Sequence, residues 1–269
     1  MNRCRFDGAC AVISGASSGI GREIAAILCK KYRCRVIGLA RNEERLTSAK
    51  EELKDFGEKY TVRPFDASSK ENWVKLAEDL KNTDTSLDIL INCAGILPKF
   101  SSQESLSDLE KVMDINFYSQ VYAIDSLTPL LEKSDSGAII NFSSASALCP
   151  FGGVKSYTAS KSAVENYTAA LACESKLYVG CIIPGFIKTD IMKNQGASER
   201  EARLFSHVCS DLDRSVRKMV RRIKRKKSRI VVGLDARLMS LTYKLFPKRG
   251  PKLITWFLRK TGLDIFKEI

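Results

Sequence analysis

Histidine is nearly absent from this sequence: His207 stands alone in 269 residues. A Ser-His-Asp hydrolase or a histidine-bound metal would have to be built around that one side chain. It lies beyond the regular part of the chain, and a solvated or partly buried structural histidine is the better reading. The nine cysteines include no C-x-x-C pair and no regular spacing, which argues against a zinc ribbon and a disulfide framework. No metal site is expected. Cys93 and Cys149 flank the most interesting motifs, yet they read as buried small hydrophobes with no redox role. No run of about 18 apolar residues occurs, so no transmembrane helix is predicted. No apolar h-region follows Met1; a secretory signal is not expected, and a reduced, cytoplasmic setting is. Internal repeats and low-complexity linkers are also missing.

What is present in excess is positive charge, and it is unevenly placed. The formal net charge is +13, but from Arg214 to Ile269 there are 18 Lys or Arg against 3 Asp or Glu, a local balance of +15. The rest of the chain is close to neutral, so the basicity cannot define the function of the main domain.

Apolar bursts alternate with helical patterns along that main part. ACAVIS (9–14), RVIGLA (35–40), YTVRPF (60–65), DILINC (88–93), AIINFS (138–143), VGCII (179–183) and RIVVG (229–233) read as strands. Between them the spacing predicts helices from Ile20, over 43–56, around 70–82, over 107–132 and over 156–176. Strands that are apolar throughout, separated by helices, indicate a parallel sheet covered on both faces. Right-handed crossovers then give a Rossmann-type, doubly wound α/β sheet. A single dinucleotide-binding domain is expected, with its core over about 7–235 and a basic, helical extension over about 236–269. The composition shifts near Gly196. Residues 194–213 are expected to form a mobile segment over the site, and the basic stretch from Arg214 is read as belonging with the extension.

SGASSGIG (14–21) lies between the first strand and the first helix. Gly15 permits the tight turn, Gly19 lets backbone approach a pyrophosphate beside Ile20, and Gly21 lets helix pack on sheet. The helix N-terminus favours phosphate. A P-loop is excluded because Arg22 follows Gly21 where that motif needs Lys and a hydroxyl. The second strand ends Leu39-Ala40-Arg41, with no carboxylate to hold a ribose 2′-hydroxyl. A cation there accepts a 2′-phosphate, and Ser17 adds a hydroxyl donor, so NADPH/NADP is the expected cofactor.

Tyr157 and Lys161 are spaced i, i+4 and share a helix face about 5–6 Å apart. A neighbouring ammonium lowers a phenol pKa from its usual value of about 10, which makes Tyr157 usable as acid or base. Ser144, after AIINFS, can bond the reacting oxygen. SGASSGIG, Asp66, NCAG (92–95), Asn116, NFSS (141–144), YTASK (157–161) and PGFIKT (184–189) follow in order. Together they resemble the short-chain dehydrogenase/reductase family over about 7–235, with Ser144 thirteen residues before Tyr157, as is usual there. The resemblance implies that Tyr157 is the general acid/base, and that Lys161 lowers its pKa and holds the nicotinamide ribose. It implies Ser144 on the substrate oxygen and Asn116 holding a water that feeds a proton relay. It further places Asp66 at adenine, Asn92, Gly95 and Pro184 beside the cofactor, and Ile187 and Thr189 at the carboxamide. A homodimer or homotetramer through paired long helices is also implied.

Three features depart from that pattern. Ser14 replaces a usual threonine, ASALCPFGG lacks an early glycine, and the stretch from Glu174 to Pro184 is about three residues short. None removes a catalytic group. Phe151, Phe186, Ile191, Met192 and Phe205 suggest an apolar pocket, hence a lipophilic carbonyl or alcohol substrate of steroid or fatty-acyl type. The run Arg217–Arg229, with Val216, Met219, Val220 and Ile223 at helical spacing, reads first as a packed helix with a solvated cationic face. Residues 238–266 interleave Leu, Phe, Trp and Ile with Lys and Arg, as interfacial segments do, so peripheral membrane contact is weighed beside it. No nucleic-acid motif is found, and no nucleic-acid partner is expected. A catalytically idle NADP-binding or interaction protein on the same fold is the alternative to an enzyme.

Overall fold

The computed structural model describes residues 4–189, 198–206, 209–267 and 269. Ile191, Met192 and His207 lie outside the described residues, as does the side chain of Phe205. The seven strands are β1 (Cys10–Ser14), β2 (Arg35–Ala40), β3 (Tyr60–Pro64), β4 (Ile89–Asn92), β5 (Ala138–Phe142), β6 (Tyr178–Pro184) and β7 (Arg229–Val232). They form one sheet in the order β3-β2-β1-β4-β5-β6-β7, and every neighbouring pair is parallel. This is a Rossmann-type α/β fold.

The sequence dictates that arrangement through burial. All five residues of β1 are buried, because β2 and β4 cover its two edges and helices cover its two faces. One face is closed by α1 (Gly19–Tyr32) and α9 (Leu212–Lys224), through Ile24, Leu28, Val216, Met219, Val220 and Ile223. The other is closed by α3 (Lys70–Asn82) and α5 (Ser119–Leu131), through Trp73, Leu76, Leu80, Leu127 and Leu131. Strand order reverses at β1, with β2 on one side and β4 on the other. That switch point opens a crevice at the carboxyl ends of the strands.

The basic stretch from Arg214 does not behave as an extension. Val216, Met219, Val220 and Ile223 are at most 2% exposed, and fully burying each contributes about 1.5–3 kcal/mol as an upper bound. β7 completes the sheet. The amphipathic pattern thus belongs to a core helix, and the added part begins with α10 (Leu234–Leu245) and α11 (Gly250–Lys260). Pro247 lies just beyond the end of α10, and Pro251 sits in the first turn of α11, where its missing N–H leaves no bond unmade.

Two long helical stretches are subdivided. The helix expected over 43–56 ends at Glu52 as α2 (Glu43–Glu52), and a 3₁₀ stretch interrupted at Gly57 (φ 53°) follows. The stretch over 107–132 is α4 (Leu106–Met113), a π-turn over Asp114–Tyr118, then α5. Such π-bulges concentrate at functional positions, and this one contains Asn116. The shortened connection after α7 (Lys155–Glu174) closes within three residues, Ser175 Oγ accepting from Leu177 N–H at 3.1 Å. The segment expected to be mobile contains α8 (Glu199–Ser206).

Candidate active site

The crevice at the switch point has a volume of about 360 Å³ and is lined by Gly15, Ser17, Ser18, Gly19, Ile20 and Gly21 along one edge. Gly15 has φ +74°, and a Cβ on it would lie 2.8 Å from the Ala94 nitrogen; a Cβ on Gly21 would lie 2.3 Å from the Gly15 carbonyl oxygen. Only glycine permits either approach. α1 begins at Ser18 without a side-chain cap bond and without an acidic residue in its first turn. Its terminal N–H groups therefore face the crevice with no carboxylate competing for them, the arrangement that receives phosphate.

At one end of the crevice are Arg41, Asn42, Arg45, Asp66 and Ser68. Asp66 accepts from the N–H and hydroxyl of Ser68 at 3.0 and 2.7 Å, which with nearby Arg41 holds its carboxyl below the usual range. Arg45 was not singled out from the sequence. Asn42 caps α2 by accepting from Arg45 N–H at 2.7 Å, and the spacing of Arg41 and Arg45, i and i+4 across that cap, was the available signal.

Gly95, Ile96, Ile115 and Thr189 line the other end. A Cβ on Gly95 would lie 3.1 Å from Asn116 Oδ1 and 3.3 Å from Lys161 Nζ. Asn116 is fully buried; its Oδ1 accepts from Ile96 N–H at 2.7 Å, and its amide donates to Ile96 O and Ser160 Oγ, each at 3.0 Å. Both amide protons are used, which leaves lone pairs on Oδ1 and on the backbone carbonyl for a further donor. Gln120 Nε2 already donates to that carbonyl at 2.8 Å. Gln120 and Ser160 are supporting residues that the sequence reading passed over; both sit one helical step from a residue it named.

Lys161 and Tyr157 share one face of α7, with Nζ 5.8 Å from the ring centroid. Nζ donates to the Phe142 carbonyl at 2.9 Å. Burial brings the ammonium down to about 8. The same burial pushes the Tyr157 phenol up, partly countered by a hydrogen bond with Ser144. The phenol thus stands above its ordinary value rather than below it, because burial outweighs the Ser144 hydrogen bond. Ser144, the N-cap of a short helix α6 (Ala145–Leu148), joins Tyr157 at the end of β5. Asn116, Ser144, Tyr157 and Lys161 therefore arrive from three elements at one point beside Gly95.

Asn92 and Pro184 are placed as follows. The Asn92 side chain does not reach the crevice: it is fully buried and donates to Asn141 Oδ1 at 2.9 Å, and Asn141 donates to Thr168 Oγ1 at 3.0 Å. As the last residue of β4 in register with Asn141, it ties β4, β5 and α7 together. Pro184 ends β6 opposite Val232 and does not line the crevice. Ile187 forms a bridge with Ser210, in which Ser210 N–H donates to Phe186 O at 2.8 Å and Lys188 N–H to Ser210 O at 3.0 Å. This leaves the backbone N–H and C=O of Ile187 turned the other way. Cys93 and Cys149 are pushed up by burial to about 12 and about 11, so both thiols stay protonated.

A family model described as short chain dehydrogenase matches residues 9–200. An 11-beta-hydroxysteroid dehydrogenase A of Sesamum indicum is 33% identical over 196 residues, covering 70% of this chain and 56% of the relative. The match thus spans little more than half of that relative's length. A 3beta-hydroxysteroid dehydrogenase 2 of Eggerthella lenta is 32% identical over 191 residues, covering 68% of this chain and 73% of the relative. Among solved structures, a short chain dehydrogenase/reductase from Burkholderia phymatum in complex with NAD has a TM-score of 0.79 at 19% identity, covering 91% of this chain and 95% of that one. That likeness bears on the fold alone. On the family match and these relatives, the chain belongs to the short-chain dehydrogenase family.

Proposed function

We propose that this chain is an NADPH-dependent oxidoreductase that transfers hydride between a nicotinamide and the carbonyl or secondary alcohol carbon of a lipophilic substrate. The observation that carries the reading is the convergence of Asn116, Ser144, Tyr157 and Lys161 beside Gly95, at one end of a crevice whose other end holds Arg41 and Arg45. The crevice fits a dinucleotide: glycines remove side chains where a backbone cradle is needed, and the open N-terminus of α1 offers N–H groups to a pyrophosphate. Arg41, Arg45 and Ser17 would hold a 2′-phosphate, Asp66 the adenine, and Thr189 with the Ile187 backbone the carboxamide. Lys161 would hold the ribose hydroxyls. When bound, the cofactor supplies the hydride; the protein supplies position and the proton.

Burial keeps the Tyr157 proton in place at neutral pH, which suits donation to a carbonyl oxygen as negative charge develops there. Ser144 gives that oxygen a second donor, and preorganised donors act most strongly where charge develops. Asn116, through its remaining lone pairs, fixes the end of a water relay that returns a proton to Tyr157. The apolar surroundings of Tyr157, with Phe151 and Phe186 in one cluster, and the hydroxysteroid names of two relatives support a lipophilic ketone, of steroid or fatty-acyl type.

The cofactor assignment gives the test. NADPH should be consumed with a panel of apolar ketones and should bind about 5- to 150-fold more tightly than NADH, the equivalent of about 1–3 kcal/mol for a charge-assisted contact. Arg41→Asp should reverse the preference. Equal binding of both cofactors by the unmodified protein would remove the assignment.

The exposed face of α10 and α11 we assign to the surface of an anionic bilayer. Of the twelve exposed large apolar side chains among the described residues, nine lie between Leu234 and Phe257. Exposed Lys244, Lys248, Arg249, Lys252, Arg259 and Lys260 are interleaved with them. No helix among the described residues is long and apolar enough to cross a membrane, so this contact is peripheral.

A further inference from the structure

Two glycines at the ends of β6 and β7 leave a notch, and the carboxylate of Asp235 fills it. A Cβ on Gly185 would lie 2.2 Å from Asp235 Oδ2, and one on Gly233 (φ +114°) would lie 2.3 Å from Oδ1. A side chain at either position would displace the carboxylate. The strand ends are joined there, Gly185 N–H donating to Val232 O at 2.8 Å. Asp235 Oδ2 accepts from Phe186 N–H at 2.5 Å, across 49 positions of sequence. Burial raises this carboxyl above its ordinary value, and the backbone N–H groups of Phe186, Ala236 and Asp235 itself oppose the rise. Capping a helix does not require such burial: α4 is capped in the open by Ser105 and Asp108. A carboxylate taken out of water is disfavoured unless it is hydrogen-bonded, and what the notch adds is the bond to Phe186.

Phe186 opens the segment that runs from β6 to the crevice. Its carbonyl accepts from Ser210 N–H at 2.8 Å, and Lys188 N–H donates to Ser210 O at 3.0 Å. Ser210 immediately precedes Asp211, the N-cap of the core helix α9. The segment is therefore clamped at two fixed points, Asp235 and Ser210, while the Ile187 N–H and C=O face the other way. Thr189, at its far end, lines the crevice, and a Cβ on Gly19 would lie 3.4 Å from Thr189 Cγ2. The aim of Ile187 and Thr189 thus depends on both clamps. Removing the acceptor of the Phe186 N–H releases one of them and leaves that N–H without its bond.

We propose that Asp235 is a positioning residue for the nicotinamide end of the cofactor. By holding the Phe186 N–H it fixes residues 185–189, so that the Ile187 backbone groups and the Thr189 hydroxyl meet the carboxamide. The proposal rests on the dinucleotide reading above and deepens it. Asp235 lies beyond the residues that the family model matches, which end at 200. The nicotinamide side of the crevice is completed from the start of α10.

The experiment measures, by calorimetry, binding of NADPH and of 2′-phospho-ADP-ribose, which lacks only the nicotinamide ring. The ratio of the two affinities reports on the nicotinamide end alone. Asp235→Ser leaves a hydroxyl for the first turn of α10 but is too short to reach the Phe186 N–H. It should lower the ratio at least fivefold, while affinity for 2′-phospho-ADP-ribose stays within twofold. Asp235→Asn keeps an oxygen at the same reach and should hold the ratio within twofold of the unmodified protein. An unchanged ratio in Asp235→Ser would overturn the proposal. So would an equal loss of both ligands, the mark of a carboxylate that only holds the fold together. An unmodified protein that binds neither ligand would remove the dinucleotide reading and this role with it. A ratio that falls as expected, in a protein that reduces no ketone, would keep the role of Asp235 and remove the oxidoreductase reading.

Discussion

An ammonium in a place where Lys161 is only 4% exposed is disfavoured by burial, and this brings its pKa down to about 8 from 10.5. Between those values the folded chain binds fewer protons at this position than the unfolded chain does. Stability therefore rises with pH across that window, and below pH 8 the full cost of the buried charge is present. The shift corresponds to about 3 kcal/mol at most, and loss of the bond to the Phe142 carbonyl offsets part of any gain from removing it. Lys161→Met should accordingly stabilise the cofactor-free protein by about 1–2 kcal/mol at pH 7, with the gain fading by pH 10. Urea denaturation at both pH values measures this. A variant less stable at both would show that the lysine is a structural residue, whereas the expected pattern marks a charge retained against stability, as functional charges are.

Helices α10 and α11 present the molecule's other unusual feature, a face in which Leu238, Leu241, Phe246, Trp256 and Phe257 are each more than half exposed beside lysines and arginines. Near an anionic surface each cation contributes about 1 kcal/mol, and the contribution falls with ionic strength. Phosphatidylserine vesicles should sediment the protein at low salt and release much of it at high salt. Protein that stays in the supernatant at both, or that instead forms concentration-dependent dimers, would assign this face to something other than lipid. At this scale the sequence was most legible where burial leaves one solution. The strands were readable because parallel strands covered on both faces are apolar throughout, and the glycine turn because its backbone geometry admits no side chain. The subdivision of the helix around Asn116 was not readable, since a single π-turn shifts the apolar spacing by only about one residue within a long helical stretch. The partner of the Asn92 side chain was not legible either: the resemblance placed Asn92 beside the cofactor, and only the register with β5 brings its amide to Asn141. The basic run of α9 was legible through its apolar stripe, and Val216, Met219, Val220 and Ile223 pack into the core as that stripe predicts.

Across the whole molecule, a nearly neutral dinucleotide fold carries a strongly basic final section that packs partly on the catalytic face and partly presents itself outward. The proposed reacting groups come from the turn after β5, the π-turn and α7, meet only in three dimensions, and lie at the carboxyl edge of the sheet where its strand order reverses. Their meeting was inferable from motif order alone, but the packing of Leu263, Phe266 and Ile269 against Tyr157 was not, because no local pattern says where a chain returns. The central claim is that Tyr157 donates the proton in carbonyl reduction. It is tested most directly by Tyr157→Phe, which keeps the ring and its packing and removes only the hydroxyl. NADPH-dependent reduction of an identified ketone should fall at least a thousandfold, about 4 kcal/mol of transition-state stabilisation, while NADPH affinity stays within twofold. Retention of most of the rate by Tyr157→Phe would contradict the account.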